Sequence, residues 1–159
     1  MIRVLFVCLG NICRSPMAEG IFNDIIRKKG LSDKIEADSA GTANYHIGES
    51  PDPRTLQQLA KNNIQLVHKG RQLVSSDAKR FDYIFVMDSA NYRDAQHILG
   101  SGFDNLYLIR TFDPDGRDED VPDPYYGGKD GFEKVYTMLE RSMNEIVSKI
   151  CLEKNLTHE

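Results

Sequence analysis

Val4-Leu5-Phe6-Val7-Cys8-Leu9-Gly10-Asn11-Ile12-Cys13-Arg14-Ser15-Pro16 is the stretch that decides how this chain folds. It begins as a continuous β-branched and aromatic run ending at Gly10, the pattern of a strand buried on both faces of a parallel sheet. Ser15-Pro16 then offers an N-cap and a proline at the first helical position, and Ala18, Ile21, Phe22, Ile25 and Ile26 recur at helical spacing up to Gly30. A strand, a tight turn and a helix therefore open the chain.

Outward from this unit the alternation continues. Residues 35–41 read as a weaker strand ending in small residues, followed by a polar stretch through Asn44, Tyr45 and His46. Pro51-Asp52-Pro53 starts a helix with Leu56, Leu59 and Ala60 on one face, and 81–88 is the strongest later strand. A helix is predicted over 90–99 and a fourth strand over 105–110. Phe132, Val135, Tyr136, Leu139, Met143, Ile146, Val147 and Ile150 mark a long amphipathic helix. Such alternation predicts a single α/β doubly wound domain over residues 1–159, flavodoxin-like, with a four-stranded parallel sheet, right-handed crossovers and helices on both faces. Ligands bind at the carboxyl ends of such strands, which brings residues 8–14, Ser39, Asp88 and the segment after Arg110 to one edge. The long irregular stretch 111–131 suits a functional loop.

Composition narrows the function classes. The 159 residues carry 20 Lys+Arg against 24 Asp+Glu, a formal charge of −4, so no global basic field would hold nucleic acid or an anionic membrane. The apolar runs are strand-length, far short of the roughly 20 residues of a bilayer span. No cleavable leader is read at Met1-Ile2-Arg3. Three cysteines, Cys8, Cys13 and Cys151, make an odd set and a poor disulfide framework, which favours a reducing cytoplasm. The close pair is then either two small buried fillers or reactive chemistry.

The turn itself favours chemistry. It joins a strand to a helix amino terminus, where unpaired N–H groups and the dipole attract an anion. Gly10 and Asn11 tolerate left-handed φ, and a loop curled that way forms a nest for a tetrahedral oxyanion. Cys8 lies beneath it, where the same field favours a thiolate, and the Ser15 hydroxyl can donate to the sulfur. Arg14 closes the nest with a planar fork for two phosphate oxygens.

Together with Asp38-Ser39-Ala40-Gly41-Thr42, Val86-Met87-Asp88 with Asn91, and Val121-Pro122-Asp123-Pro124-Tyr125-Tyr126, the turn Cys8 to Ser15 with its flanking strand and helix closely resembles the low-molecular-weight protein tyrosine phosphatase family over essentially the whole chain. The resemblance implies hydrolysis of phosphotyrosine and small aryl phosphates through a phosphocysteine, with no metal and no cofactor. Cys8 would be the nucleophile, Arg14 the transition-state clamp and Asp123 the general acid. Leu9, Gly10, Asn11, Ile12, Cys13 and Ser15 would form the substrate loop, Tyr45 and Tyr125 the slot walls, and Ser39, Asn11 and His68 a network holding the loop. Asp88 would brace Arg14. Partners would be phosphotyrosine-containing proteins, with inorganic phosphate as product and inhibitor.

Each of these residues has a plainer reading. Asp123 lies among Asp113, Asp115, Asp118, Glu119, Asp120 and Asp130, which composition alone makes a solvated acidic loop, with Asp120 the nearest competitor for the acid's role. Asp88 also suits a helix N-cap, His68 a surface or satisfied core histidine, and Cys13 a small filler; the family reading makes Cys13 the thiol that captures oxidised Cys8. Ile12 adds an apolar wall where the related arginine-phosphatase branch carries threonine. Two rivals share parts of the pattern. A thioredoxin-coupled arsenate reductase needs further resolving cysteines near mid-chain, where this sequence has none, and a phosphocysteine carrier of a sugar-transport system needs neither Arg14 nor Asp123.

Overall fold

The computed structural model describes residues 1–128 and 130–156. Four strands, β1 (Ile2–Cys8), β2 (Ile35–Gly41), β3 (Tyr83–Val86) and β4 (Leu106–Leu108), form one sheet in the order β2-β1-β3-β4, and every pairing is parallel. Helices α1 (Arg14–Lys28), α2 (Pro53–Ala60), α3 (Asp77–Arg80), α4 (Ser89–Leu99) and α5 (Asp130–Glu153) provide the cover. Among the described residues no helix is long and apolar enough to cross a membrane.

Side chains alternate across β1 with the period of two that a pleated strand imposes. Val4, Phe6 and Cys8 join one apolar layer with α1 and α5, while Leu5 and Val7 join the other, with Ala95 and Leu99 of α4. This is why the opening run is apolar at every position. An aromatic row crosses the sheet beneath α5: Phe6 stacks on Phe85 at 5.8 Å between ring centroids and Phe85 on Tyr107 at 5.6 Å. Such pairs each add about 0.5–1.5 kcal/mol beyond burial and tie β1 to β3 and β4.

Strand β1 is the sheet's switch point, because the chain crosses from it to β2 on one side and, later, to β3 on the other. A crevice opens at the carboxyl end of such a strand. Cys8, the last residue of β1, stands at its floor.

Several element boundaries differ from the sequence expectation. Helix α1 starts at Arg14 rather than after Ser15, with Cys13 in the N-cap position and no side-chain cap. Ser15 is drawn inward to Cys8 instead. The stretch expected as one strand over 105–110 divides into β4 and a 3₁₀ turn, Ile109–Phe112, which turns Arg110 into the interior. Strand β3 is four residues long where 81–88 was expected.

Candidate active site

The turn after β1 is shaped by bonds that pull its carbonyls outward. Cys8 O accepts from Thr42 N at 2.9 Å, Leu9 O from Ala43 N at 3.0 Å and Ile12 O from Asp52 N at 2.8 Å, while Cys13 O accepts from Thr55 Oγ1 at 3.2 Å. With the carbonyls held by the β2 end and by the start of α2, the amides turn toward the crevice as an anion nest. Asn11 carries the turn with φ 60°, whereas Gly10 keeps an ordinary negative φ and is small because His46 packs against it. A Cβ at Gly41 would lie 2.7 Å from Leu9 O and 3.2 Å from Asn11 N, so that residue must be glycine for the loop to cross β2.

Cys8 Sγ accepts from Asn11 N at 3.3 Å and stands 3.1 Å from Ser15 Oγ. Asn11 is itself fixed: its amide nitrogen donates to Ser15 Oγ at 2.8 Å and Ser39 Oγ at 3.0 Å, and its Oδ1 accepts from Arg71 N at 3.1 Å. His68 Nε2 lies 2.8 Å from that same Oδ1, so the nitrogen carries the proton and donates. On the other side of the ring, Nδ1 lies 3.3 Å from Glu19 Oε1 and 3.6 Å from Asp38 Oδ1. Ser39 Oγ donates to Glu19 Oε1 at 2.7 Å.

Ser39, Asn11 and His68 thus form one buried network under the loop, and Glu19 and Arg71 complete it. No spacing pattern marked those two, because Glu19 lies on the first helix and the bond from Arg71 is made by its backbone. Glu19, Asp38 and His68 are also, among the described residues, the one group whose donor atoms cluster closely enough to hold a metal ion. Each already has a partner in the protein: Ser39 on Glu19, Arg71 Nε on Asp38 at 3.1 Å and Asn11 on His68.

Arg14 is almost wholly buried. Its Nη1 donates to Asp88 Oδ2 at 2.7 Å and to Val121 O at 3.0 Å, which leaves Nη2 facing the crevice, 3.9 Å from Asp123 Oδ2. Asp88 also caps α4, accepting from Asn91 N through Oδ1, so brace and cap are the same side chain.

The crevice is a cavity of about 320 Å³ lined by Cys8, Leu9, Gly10, Ile12, Cys13, Arg14, Tyr45, His46, Asp123, Tyr125 and Tyr126. Of the expected substrate residues, Asn11 and Ser15 do not line it and lie beneath the loop. His46 and Tyr126 were not foreseen as walls. Arg54 stacks over Tyr125 at 5.2 Å and bonds its carbonyl, holding that wall upright. Asp120, the competitor for the acid's role, turns away: its Oδ1 accepts from Ser89 N and Ser89 Oγ at 3.1 Å each. Asp113, expected to be solvated, is fully buried between Arg110 and Arg141. Cys13 is buried at the helix start, and burial, with Asp52 and Cys8 adding to it, pushes its thiol up to about 12.

The family model described as "Low molecular weight phosphotyrosine protein phosphatase" matches residues 3–157. A protein of that same name from Schizosaccharomyces pombe is 49% identical over 140 residues, spanning 87% of this chain and 90% of its own. Among solved structures, YfkJ from Bacillus subtilis superposes with a TM-score of 0.91 at 41% identity, covering 97% of each chain. A Drosophila arginine phosphatase gives 0.87 at 32% identity, over 94% of this chain and 98% of that one. The chain belongs to the low molecular weight phosphotyrosine protein phosphatase family.

Proposed function

We propose that the protein hydrolyses phosphotyrosine in protein substrates, and small aryl phosphates, through a phosphocysteine on Cys8. The observation that carries this reading is the convergence on one crevice of the Cys8 sulfur, the free edge of the Arg14 guanidinium and the Asp123 carboxylate. A phosphoryl group seated in the nest takes in-line attack from Cys8 Sγ. Phosphorus–sulfur bond formation accompanies loss of the phenolate oxygen, to which Asp123 gives its proton. The same carboxylate then takes a proton from the water that cleaves the phosphocysteine, releasing inorganic phosphate. The nest amides and Arg14 spread over the equatorial oxygens and stabilise charge where a loose transition state develops it.

Leu9, Ile12, Tyr45, Tyr125 and Tyr126 make the crevice largely apolar and aromatic above the nest, which suits a phenyl ring better than the polar guanidino group of phosphoarginine. Inorganic phosphate, the product, fits the same nest and acts as an inhibitor. Free Cys8, Cys13 and Cys151 support a reducing cytoplasm as the protein's compartment. Neither rival gains support: Cys151 is buried in α5 and is no wall of the crevice, and the clamp and acid positions that a phosphocysteine carrier would not need are both filled.

The test is phosphate release from p-nitrophenyl phosphate and a phosphotyrosine peptide by the wild type, Cys8→Ser and Arg14→Lys. Cys8→Ser should abolish turnover while retaining phosphate or vanadate affinity. Arg14→Lys should lose most activity, since a point charge cannot supply two parallel hydrogen bonds. Normal turnover by Cys8→Ser would overturn the reading.

A further inference from the structure

The loop that carries Asp123 contains an ion-pair cluster which the reaction as described does not use. Arg110 is buried, and its Nε donates to Asp113 Oδ2 at 3.0 Å. Asp113, wholly buried, also accepts from Arg141 of α5, Nε to Oδ1 at 2.9 Å and Nη2 to Oδ2 at 3.1 Å, and from Asp115 N at 2.9 Å. A carboxylate so placed is saturated. It is a fixed pivot, tied to the long helix on one side and to Arg110 on the other.

From that pivot the guanidinium reaches the acid-bearing loop. Arg110 Nη1 donates to Asp120 O at 3.1 Å and lies 3.3 Å from Glu119 Oε2, while Arg110 O accepts from Asp118 N at 3.0 Å. A Cβ on Gly116 would overlap the guanidinium, so the loop is cut to fit it. Immediately after Asp120, Val121 N donates to Met87 O at 2.8 Å and Val121 O accepts from Arg14. Two residues later comes Asp123, half-exposed, whose Oδ1, among the described residues, accepts one hydrogen bond, from Tyr125 N. Its position is therefore set by the main chain on either side.

We propose that Arg110 is a positioning residue for proton transfer: anchored on Asp113 and Arg141, it fixes the main chain at Asp120 and so holds Asp123 over the phosphate nest. This rests on the reading of Asp123 as the general acid. A carboxyl displaced by an ångström loses the near-attack alignment that proton donation requires, whereas the nest, held by the β2 end and α2, and Arg14, held also by Asp88, keep their geometry.

The experiment compares Arg110→Met, Arg110→Lys, Asp123→Asn and the Arg110→Met/Asp123→Asn double variant in single-turnover cleavage of phosphotyrosine and p-nitrophenyl phosphate, with vanadate affinity alongside. Arg110→Met should slow phosphotyrosine by about tenfold or more, up to the ~10²–10⁴ that full loss of acid catalysis costs, and p-nitrophenyl phosphate much less, with vanadate affinity unchanged. In the Asp123→Asn background it should add nothing, because the residue acts through Asp123. Arg110→Lys, which keeps a positive charge beside Asp113 but lacks the planar fork that reaches both Asp113 and Asp120 O, should fold and show the same preference. Equal losses on both substrates in Arg110→Lys, or a further loss in the double variant, would overturn the inference. If Asp123→Asn itself shows no leaving-group dependence, the acid assignment falls as well; if it does and the Arg110 variants do not, only the role of Arg110 falls.

Discussion

Asp88 holds Arg14 and helix α4 with its two oxygens: Oδ2 accepts from Arg14 Nη1 at 2.7 Å and Oδ1 from Asn91 N at 2.7 Å. One carboxylate thereby orients the clamp and satisfies one of the free amides of a helix start.

These two duties separate by substitution. Asn is as good an N-cap as Asp, so Asp88→Asn should leave stability nearly unchanged while weakening the charged brace. Asp88→Ala should add a loss of about 1 kcal/mol, the usual cost of a missing cap. Both should lower turnover and vanadate affinity together, because Arg14 loses its fixed edge. Denaturant melts and vanadate titrations of the pair provide the check; equal stability losses would show that the cap is made elsewhere.

The general-acid assignment predicts an effect that depends on the leaving group. Tyrosine phenolate, with a pKa near about 10, needs its oxygen protonated as the bond breaks, whereas nitrophenolate leaves with little help. Asp123→Asn should slow phosphocysteine formation from phosphotyrosine more than from p-nitrophenyl phosphate, approaching the ~10²–10⁴ that acid catalysis supplies. Asp120→Asn should not, since that carboxylate is spent on Ser89. Single-turnover burst rates decide it, and a loss independent of leaving group would move the acid elsewhere.

The residues that the sequence made legible are those whose signals are local. An apolar run of both parities, a glycine and a helix pattern ending at Gly30 define β1, the nest and α1 without reference to anything distant, and Gly30 duly has φ 71° just past the helix end. Asp52 before Pro53 caps α2 through a bond to Arg54 N, again a local device. What escaped depends on partners far along the chain. Ser15 looked like a cap because it precedes a proline, yet its hydroxyl lies 3.1 Å from the sulfur of Cys8, seven residues back. Asp113 looked solvated among its acidic neighbours, and only Arg141, 28 residues on, makes it a core residue. The four-residue helix α3 is too short for any period to register.

A redox role for Cys13 is open to test. If peroxide oxidises the Cys8 sulfur to a sulfenic acid, attack by the Cys13 sulfur forms a disulfide with loss of water. Burial keeps Cys13 a thiol, up to about 12, so its attack should be slow at neutral pH and speed up as pH rises. After a brief peroxide pulse, wild type should recover activity with dithiothreitol more fully than Cys13→Ser, and the advantage should grow with pH. Equal recovery at every pH would leave Cys13 as packing alone.

Glu19 and His68, facing each other under the loop, give stability a pH dependence. Burial, opposed by the Ser39 hydroxyl and reinforced by Asp38, pushes the Glu19 carboxyl up from its ordinary 4.5 to about 7. Burial also pushes His68 below its ordinary value, and both directions favour a protonated Glu19 facing a neutral imidazole at Nδ1. The folded state then keeps a proton that the unfolded chain releases between about 4.5 and about 7, so this contribution is complete below that window and is lost as pH rises through it. His68 acts with the opposite sign, its neutral folded form losing stability as pH falls, and wild-type melting alone would mix the two. Glu19→Gln keeps the size of the protonated carboxyl and does not titrate; one amide atom meets Nδ1 as a donor or Ser39 as an acceptor but not both, which adds an offset that does not vary with pH across the window. The difference in Tm, variant minus wild type, should therefore climb across that window and then level off. A flat or falling difference would mean that Glu19 is ionised and that His68 carries the proton.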